Sequence, residues 1–226
     1  MEVKLILVEP QLGKNIGAVA RVMSNFGFTS LRIVSPRDGW PSEKAIAMAA
    51  HGAFVVEEAS LYEDFHTAIA DLNYVVATTV QDRYMEKPVL SPKKLSSLIG
   101  KVGLVLGRER SGLTNEEISY CDAIITIPTS KINPSLNIAQ AAAICCYELS
   151  KIKPSKSQLP KQALRGDLKL FLEFLEGELE KANFFKNPRI APTMKRNIRN
   201  YFTRSQMTDQ DLKTMWGIIR ALRGKN

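Results

Sequence analysis

The sequence predicts an α/β fold with a mostly parallel sheet, followed by a small all-helical extension. Short, almost continuous apolar runs (VKLILV, LRIV, YVVATTV, VGLVL, AIITI) recur between segments of helical periodicity. Strands buried on both faces read this way, and their alternation with helices argues for βαβ units with right-handed connections. Charge divides the chain as well. Residues 1–150 carry 14 Lys/Arg against 16 Asp/Glu, whereas residues 151–226 carry 17 against 7. A near-neutral folding unit joined to a basic module suits a polyanionic partner.

Val3 to Val8 reads as a buried first strand that stops at Glu9-Pro10. From Asn15, the residues Ile16, Val19, Ala20, Met23 and Phe26 recur at helical spacing up to Gly27. Leu31 to Val34 is the second strand. Ser42 is placed to cap a helix with Ala45, Ile46, Met48 and Ala49 on its apolar side. Phe54 to Val56 is read as a further short strand, Leu61 to Ala70 as helix, and Tyr74 to Val80 as strand. The polar stretch from Gln81 to Pro92, with Arg83 and Lys87, is a long loop after a strand end, where function often sits.

Two loops then open at neighbouring strand ends, the place where open α/β sheets bind ligands. Gly107 to Gly112 surrounds Glu109 with residues lacking a Cβ, so backbone amides can approach a ligand. Pro128 stiffens the second exit, and Asn133, Ser135 and Asn137 bring short polar groups to a helix start. The helix from Ile138 to Leu149 is apolar on nearly every side and needs cover all round, which points to a second subunit. Lys151 to Pro160 has the composition of a linker. The division is therefore 1–150, a linker at 151–160, and a basic extension at 161–226. The extension holds an amphipathic helix from Leu164 to about Ala182, a basic stretch from Lys186 to Arg204 and a last helix from Asp209 to Leu222.

With 226 residues and 45% hydrophobic content the chain can bury a sizeable core. It holds no run of about eighteen apolar residues and no signal-like start, so neither a membrane span nor a signal peptide is expected. Cys121, Cys145 and Cys146 have no metal-ligand spacing, and no metal site is expected. They read as buried thiols of a reducing, cytoplasmic setting. His51 and His66 read as structural or solvated. A phosphate-binding P-loop is absent.

Taken singly, Asn15, Arg21, Glu109 and Ser135 are caps and surface charges. Together, the ENxGNxGxxxR-like stretch at the first helix, LGRERSGLTNEE and IPTSKINPSLNIAQA resemble the three motifs of the SPOUT methyltransferases, in the branch that methylates RNA ribose 2′-hydroxyls. The resemblance covers the whole chain, because FTRSQMTDQDLKTMWGIIRAL is similar to the helical extension of the TrmJ subgroup. Lys14 departs from the small residue common there before the asparagine, a change expected to leave the chemistry little affected and to bear on substrate contacts.

The resemblance implies a C-terminal deep trefoil knot that forms an S-adenosyl-L-methionine site from Thr78, Thr79, Gly107, Glu109, Gly112, Ile127, Leu136 and Asn137. It implies Arg21, Ser135 and Asn15 as catalytic residues at an active site shared across a homodimer. Its substrate would be nucleotide 32 of the tRNA anticodon loop, with no DNA or membrane partner. Arg83, Lys195, Arg196, Arg199 and Arg204 are the expected RNA contacts. Two other readings are a ribosomal RNA substrate and a non-catalytic RNA-binding or assembly protein.

Overall fold

The computed structural model describes residues 1–79, 86–151 and 162–223. Strands β1 (Glu2–Val8), β2 (Leu31–Val34), β3 (Ser60–Tyr62), β4 (Tyr74–Thr78), β5 (Val89–Leu90), β6 (Lys101–Leu106) and β7 (Ala123–Ile125) form a sheet in the order β3-β2-β1-β6-β4-β7-β5. Every pairing is parallel, with Leu5 opposite Leu31 and Leu104, and Ala77 opposite Val105 and Ile124. The apolar runs are continuous because both faces are covered. Leu5 and Leu7 enter one core with Ile33, Val76 and Leu104, while Ile6 and Val8 enter the other with Val75, Ala77 and Val105.

Helices α1 (Gly13–Asn25), α2 (Glu43–Ala49), α3 (Ala53–Glu57) and α6 (Ile138–Ser150) supply buried residues to the first core. Helices α4 (Phe65–Ile69) and α5 (Asn115–Ser119) supply the second. Gly17 is needed for close approach rather than for a turn: a Cβ there would lie 2.1 Å from the Ala45 carbonyl oxygen on α2. Ser42 caps α2 by accepting a hydrogen bond from the Ala45 amide at 3.2 Å, as its position in the sequence predicts.

Three assignments differ from the sequence reading. The stretch from Gln81 to Pro92, expected to be loop, contains β5: Val89 and Leu90 pair with Ile124 and Ile125 of β7 at the sheet edge, a run too short for periodicity to announce. Phe54 to Val56 lies in helix α3, with Val55 and Val56 buried and Phe54 exposed. Three apolar residues are too few for periodicity to decide between strand and helix, and the place beside β2 is taken by Ser60–Tyr62 instead. Accordingly Leu61 to Ala70 is not one helix. It begins in β3, and α4 starts only after Asp64, whose carboxylate accepts from the Thr67 amide at 2.9 Å.

Past residue 161, α7 (Arg165–Lys181), α8 (Ala191–Arg204) and α9 (Asp209–Arg223) enclose a separate core of Leu168, Phe171, Leu172, Phe202 and Leu212. Phe174 stacks on Trp216 with ring centroids 4.2 Å apart. A buried polar junction ties this module to the sheet. Arg165 donates to Asp122 at 2.7 Å and to the Asn73 carbonyl at 2.8 Å, and Asp122 also accepts from the Val75 amide. Lys87 donates to the Ser119 carbonyl at 3.0 Å, to the Cys121 carbonyl, and to Thr203 Oγ1 at 2.7 Å. Buried polar groups need such partners; among the described residues Arg165 Nε and Nη1 have none, so its charge depends on the single pair with Asp122. The expected linker falls, from residue 152 onward, outside the described residues.

Candidate active site

Three strands end at the same edge of the sheet, and their exits define a cavity of about 330 Å³, within the range of small-ligand pockets. Its walls come from segments far apart in sequence: Asn15 on α1, Thr78 and Thr79 after β4, Leu106 through Gly112 after β6, Ile125 and Ile127 at β7, and Ser135 through Ile138 with Ala141 at α6. All eight residues expected to hold the cofactor line it, as do Asn15 and Ser135. Arg21 does not. It is exposed on α1, six residues beyond Asn15 and so about 9 Å further along the axis. Arg83 lies outside the described residues.

The Gly107 to Gly112 loop closes on itself. The Gly112 amide donates to the Arg108 carbonyl at 2.8 Å, and a Cβ on Gly107 would sit 2.5 Å from backbone atoms of Gly112 and Leu113. Side chains then fix the loop to its neighbours. Arg108 donates through Nε to Glu9 at 2.8 Å, and through Nη1 and Nη2 to Glu117 at 3.0 Å each. The hydrogen bond from Arg108 holds the Glu9 carboxyl below the ordinary range. Glu9 takes up a left-handed φ of 45° to meet it, a conformation that costs a residue with a Cβ about 1–2 kcal/mol.

Glu109 turns the other way. Its carboxylate accepts from the Gln11 amide at 2.8 Å and from Asn15 Nδ2 at 2.9 Å, so it joins the loop to the start of α1. Asn15 Oδ1 in turn accepts from Asn137 Nδ2 at 3.4 Å. Asn137 caps α6 by accepting from the Ala139 amide at 2.8 Å, in a reciprocal capping box with Gln140. Glu109, Asn15 and Asn137 therefore form one chain of hydrogen bonds through the three motif segments. Thr78 donates its hydroxyl hydrogen to the Val105 carbonyl at 3.0 Å.

The lining is of two kinds. Leu106, Ile125, Ile127, Leu136 and Ala141 supply apolar lining, and the Gly107 to Gly112 loop adds residues whose backbone can approach a ligand. That division suits a ligand with a flat apolar ring and a polar remainder. Burial pushes the Cys145 and Cys146 thiols up to about 12, so they remain protonated packing groups of α6. Among the described residues no cluster of His, Cys, Asp or Glu could hold a metal ion.

The C-terminal cations singled out from sequence are mostly answered by carboxylates. Arg199 donates to Glu176 at 2.7 Å and to Glu116, Lys195 pairs with Glu180 and Glu176, and Arg204 donates to Glu86 at 2.9 Å. Among the described residues Arg196 donates to Thr193 and meets no carboxylate. Sequence reasoning missed the Arg108 brace and the pocket position of Arg110. The partners of Arg108 are distant in the chain, and no local pattern announces them.

Residues 2–147 match the sequence model of the SpoU rRNA Methylase family. A tRNA (cytidine-2′-O-)-methyltransferase TrmJ of Methanocaldococcus jannaschii is 41% identical over 154 residues, which cover 65% of this chain and 66% of that protein. A tRNA (cytidine/uridine-2′-O-)-methyltransferase TrmJ of Pectobacterium atrosepticum is 32% identical over 234 residues, or 97% of this chain and 96% of its own length. Among solved structures, TrmJ from Z. mobilis ZM4 superposes with a TM-score of 0.92 at 35% identity, over 99% of this chain and all of that one.

Proposed function

The chain belongs to the SpoU rRNA methylase family of RNA 2′-O-methyltransferases, and on that premise we propose that it methylates a ribose 2′-hydroxyl of tRNA at nucleotide 32 of the anticodon loop. Cytidine, uridine or both would be accepted, in the cytoplasm. The observation that carries the reading is the convergence of Asn15, the Gly107 to Gly112 loop and Ser135 to Asn137 on one cavity. The similarity to tRNA methyltransferases over nearly the full length, helical extension included, favours tRNA over ribosomal RNA.

S-adenosyl-L-methionine is the donor in this proposal, and when bound it supplies a methyl group made electrophilic by a sulfonium. Leu106, Ile125, Ile127 and Leu136 would take its apolar part, with the Gly107 to Gly112 backbone against its polar part. The other requirement is a positioned oxygen, since alignment of the reacting atoms accounts for a large share of the barrier reduction. Ser135, exposed at the rim, orients the hydroxyl, and Asn15, held by Glu109 and Asn137, fixes the adjacent wall. Arg21 acts as a phosphate clamp and electrostatic stabiliser, because a guanidinium stays protonated and is unsuited to be a base. The proton leaves to a phosphate oxygen or to water.

Arg21 lies away from its own chain's pocket, so in this reading it serves the site of a second subunit. The partly uncovered side of α6, with Ala143 half-buried and Tyr147 exposed, belongs to that homodimer interface. The trefoil knot is part of the same proposal, with the chain around β7 and α6 threaded through a loop. Among the expected RNA contacts of the extension, Arg196 has no carboxylate partner among the described residues and leads, while Lys195, Arg199 and Arg204 would have to exchange their carboxylates for phosphate. Incubation with unmodified tRNA and S-adenosyl-L-methionine, followed by nucleoside mass spectrometry, tests the reaction. The expected product is 2′-O-methylcytidine or 2′-O-methyluridine; a base-methylated nucleoside would sink the proposal.

A further inference from the structure

Two arginines sit two residues apart in the cofactor loop, and their surroundings differ. Arg108 is braced between Glu9 and Glu117 and largely buried by them. Arg110 lines the same cavity, is exposed, and among the described residues makes no ion pair or hydrogen bond within the protein. Its backbone is nevertheless fixed, because Arg108 and Glu109 immediately before it are tied to Glu9 at the end of β1, to α5 and to α1. The structure therefore holds an unanswered positive charge at the pocket mouth on a rigid mount.

We propose that Arg110 is the RNA-phosphate contact that each chain supplies at its own pocket, a role that rests on the methyltransferase reading above. The chemistry of the target favours this partner. A ribose 2′-hydroxyl lies next to the 3′-phosphate of the same nucleotide, so a strand that presents the hydroxyl brings an anion to the rim. Lys14 beside Asn15, and Lys131 shortly before Ser135, are likewise exposed with no carboxylate partner among the described residues. Of these cations Arg110 is the one that lines the cavity, whereas Lys195, Arg199 and Arg204 on α8 already face carboxylates. Arg110 is exposed to solvent, where a strand arriving from outside meets it first, and this favours RNA phosphate over a small ligand's carboxylate.

The test uses the full-length protein with two equilibrium readouts that do not depend on turnover. Affinity for an unmodified tRNA transcript is measured by fluorescence anisotropy at stepped KCl, and affinity for S-adenosyl-L-methionine by calorimetry. For Arg110→Ala the RNA affinity falls about tenfold at low salt, and the slope of log affinity against log salt shrinks by about 0.7–0.9, the loss of one phosphate contact. Cofactor affinity stays within about twofold, and Arg110→Lys recovers most RNA binding, because a point charge suffices for a phosphate. Unchanged RNA affinity and slope in Arg110→Ala would overturn the assignment. So would a loss of cofactor affinity as large as the loss for RNA, which would give Arg110 to the cofactor's carboxylate. If the wild type bound and methylated ribosomal RNA fragments but not tRNA, the substrate reading would fall, and the same comparison on those fragments would still decide Arg110.

Discussion

Gly107→Ala should disable the Gly107 to Gly112 loop for a purely steric reason. The new Cβ would lie 2.5 Å from the Gly112 carbonyl carbon, 2.5 Å from the Leu113 amide nitrogen and 2.9 Å from the Gly112 carbonyl oxygen. These are backbone atoms, so no side chain can swing away. Restoring ordinary contact at about 3.5 Å requires the two limbs of the loop to part by roughly 1 Å. That movement breaks the hydrogen bond from the Gly112 amide to the Arg108 carbonyl and the 3.3 Å contact from Arg108 Nη1 to the Gly112 carbonyl. It also shifts Glu109 away from Asn15.

Overpacking of this kind typically costs about 1–3 kcal/mol, and urea unfolding should show it. Calorimetric titration with S-adenosyl-L-methionine should show at least a tenfold loss of affinity, or about 1.4 kcal/mol. The internal control is Gly177→Ala on α7, where a Cβ meets nothing within 4 Å. That change should raise stability by up to about 1 kcal/mol through helix propensity. A Gly107→Ala variant with wild-type stability and wild-type cofactor affinity would refute the reasoning about the loop.

Asp122→Asn at pH 8 should destabilise the protein by about 3–5 kcal/mol in urea, because Arg165 would remain buried without its counter-charge; a loss below 1 kcal/mol would show the pair to be dispensable. Burial pushes Lys87 down to about 8 from the ordinary lysine value of 10.5. Between those values the unfolded chain holds the extra proton, so this group makes stability rise with pH, by up to about 1 kcal/mol per unit. Urea midpoints of the wild type and Lys87→Met from pH 8 to 10 should therefore diverge in slope, and parallel curves would show that Lys87 is not titrating there. Arg21→Lys should lose most methyl transfer while keeping cofactor affinity, because lysine lacks the guanidinium fork; a fully active variant would reject the clamp. Sedimentation of the active protein should give a dimer, and an active monomer would remove the shared site.

Much of the fold was legible because its strands are buried on both faces. Runs such as VKLILV and LRIV announce themselves, and Ser42 announces its helix. The errors fell where segments are short. Phe54 to Val56 has no measurable period, and Ser60–Tyr62 is a three-residue edge strand with two exposed residues. The pocket lining was legible through motif resemblance, and the eight expected cofactor residues line one cavity. What could not be read was pairing over long separations. Arg108 with Glu9, Arg165 with Asp122 and Lys87 with Thr203 join residues 99, 43 and 116 positions apart. The same blindness affected the charge count, since the sequence shows how many cations the extension has but not which face carboxylates.

The most direct test of the account is methyl transfer from labelled S-adenosyl-L-methionine to unmodified total tRNA, with nuclease mapping of the labelled nucleotide and Arg21→Ala as control. A 2′-O-methyl label at anticodon-loop position 32, lost in the control, is the predicted result. Label confined to ribosomal RNA, or none despite cofactor binding, would contradict it.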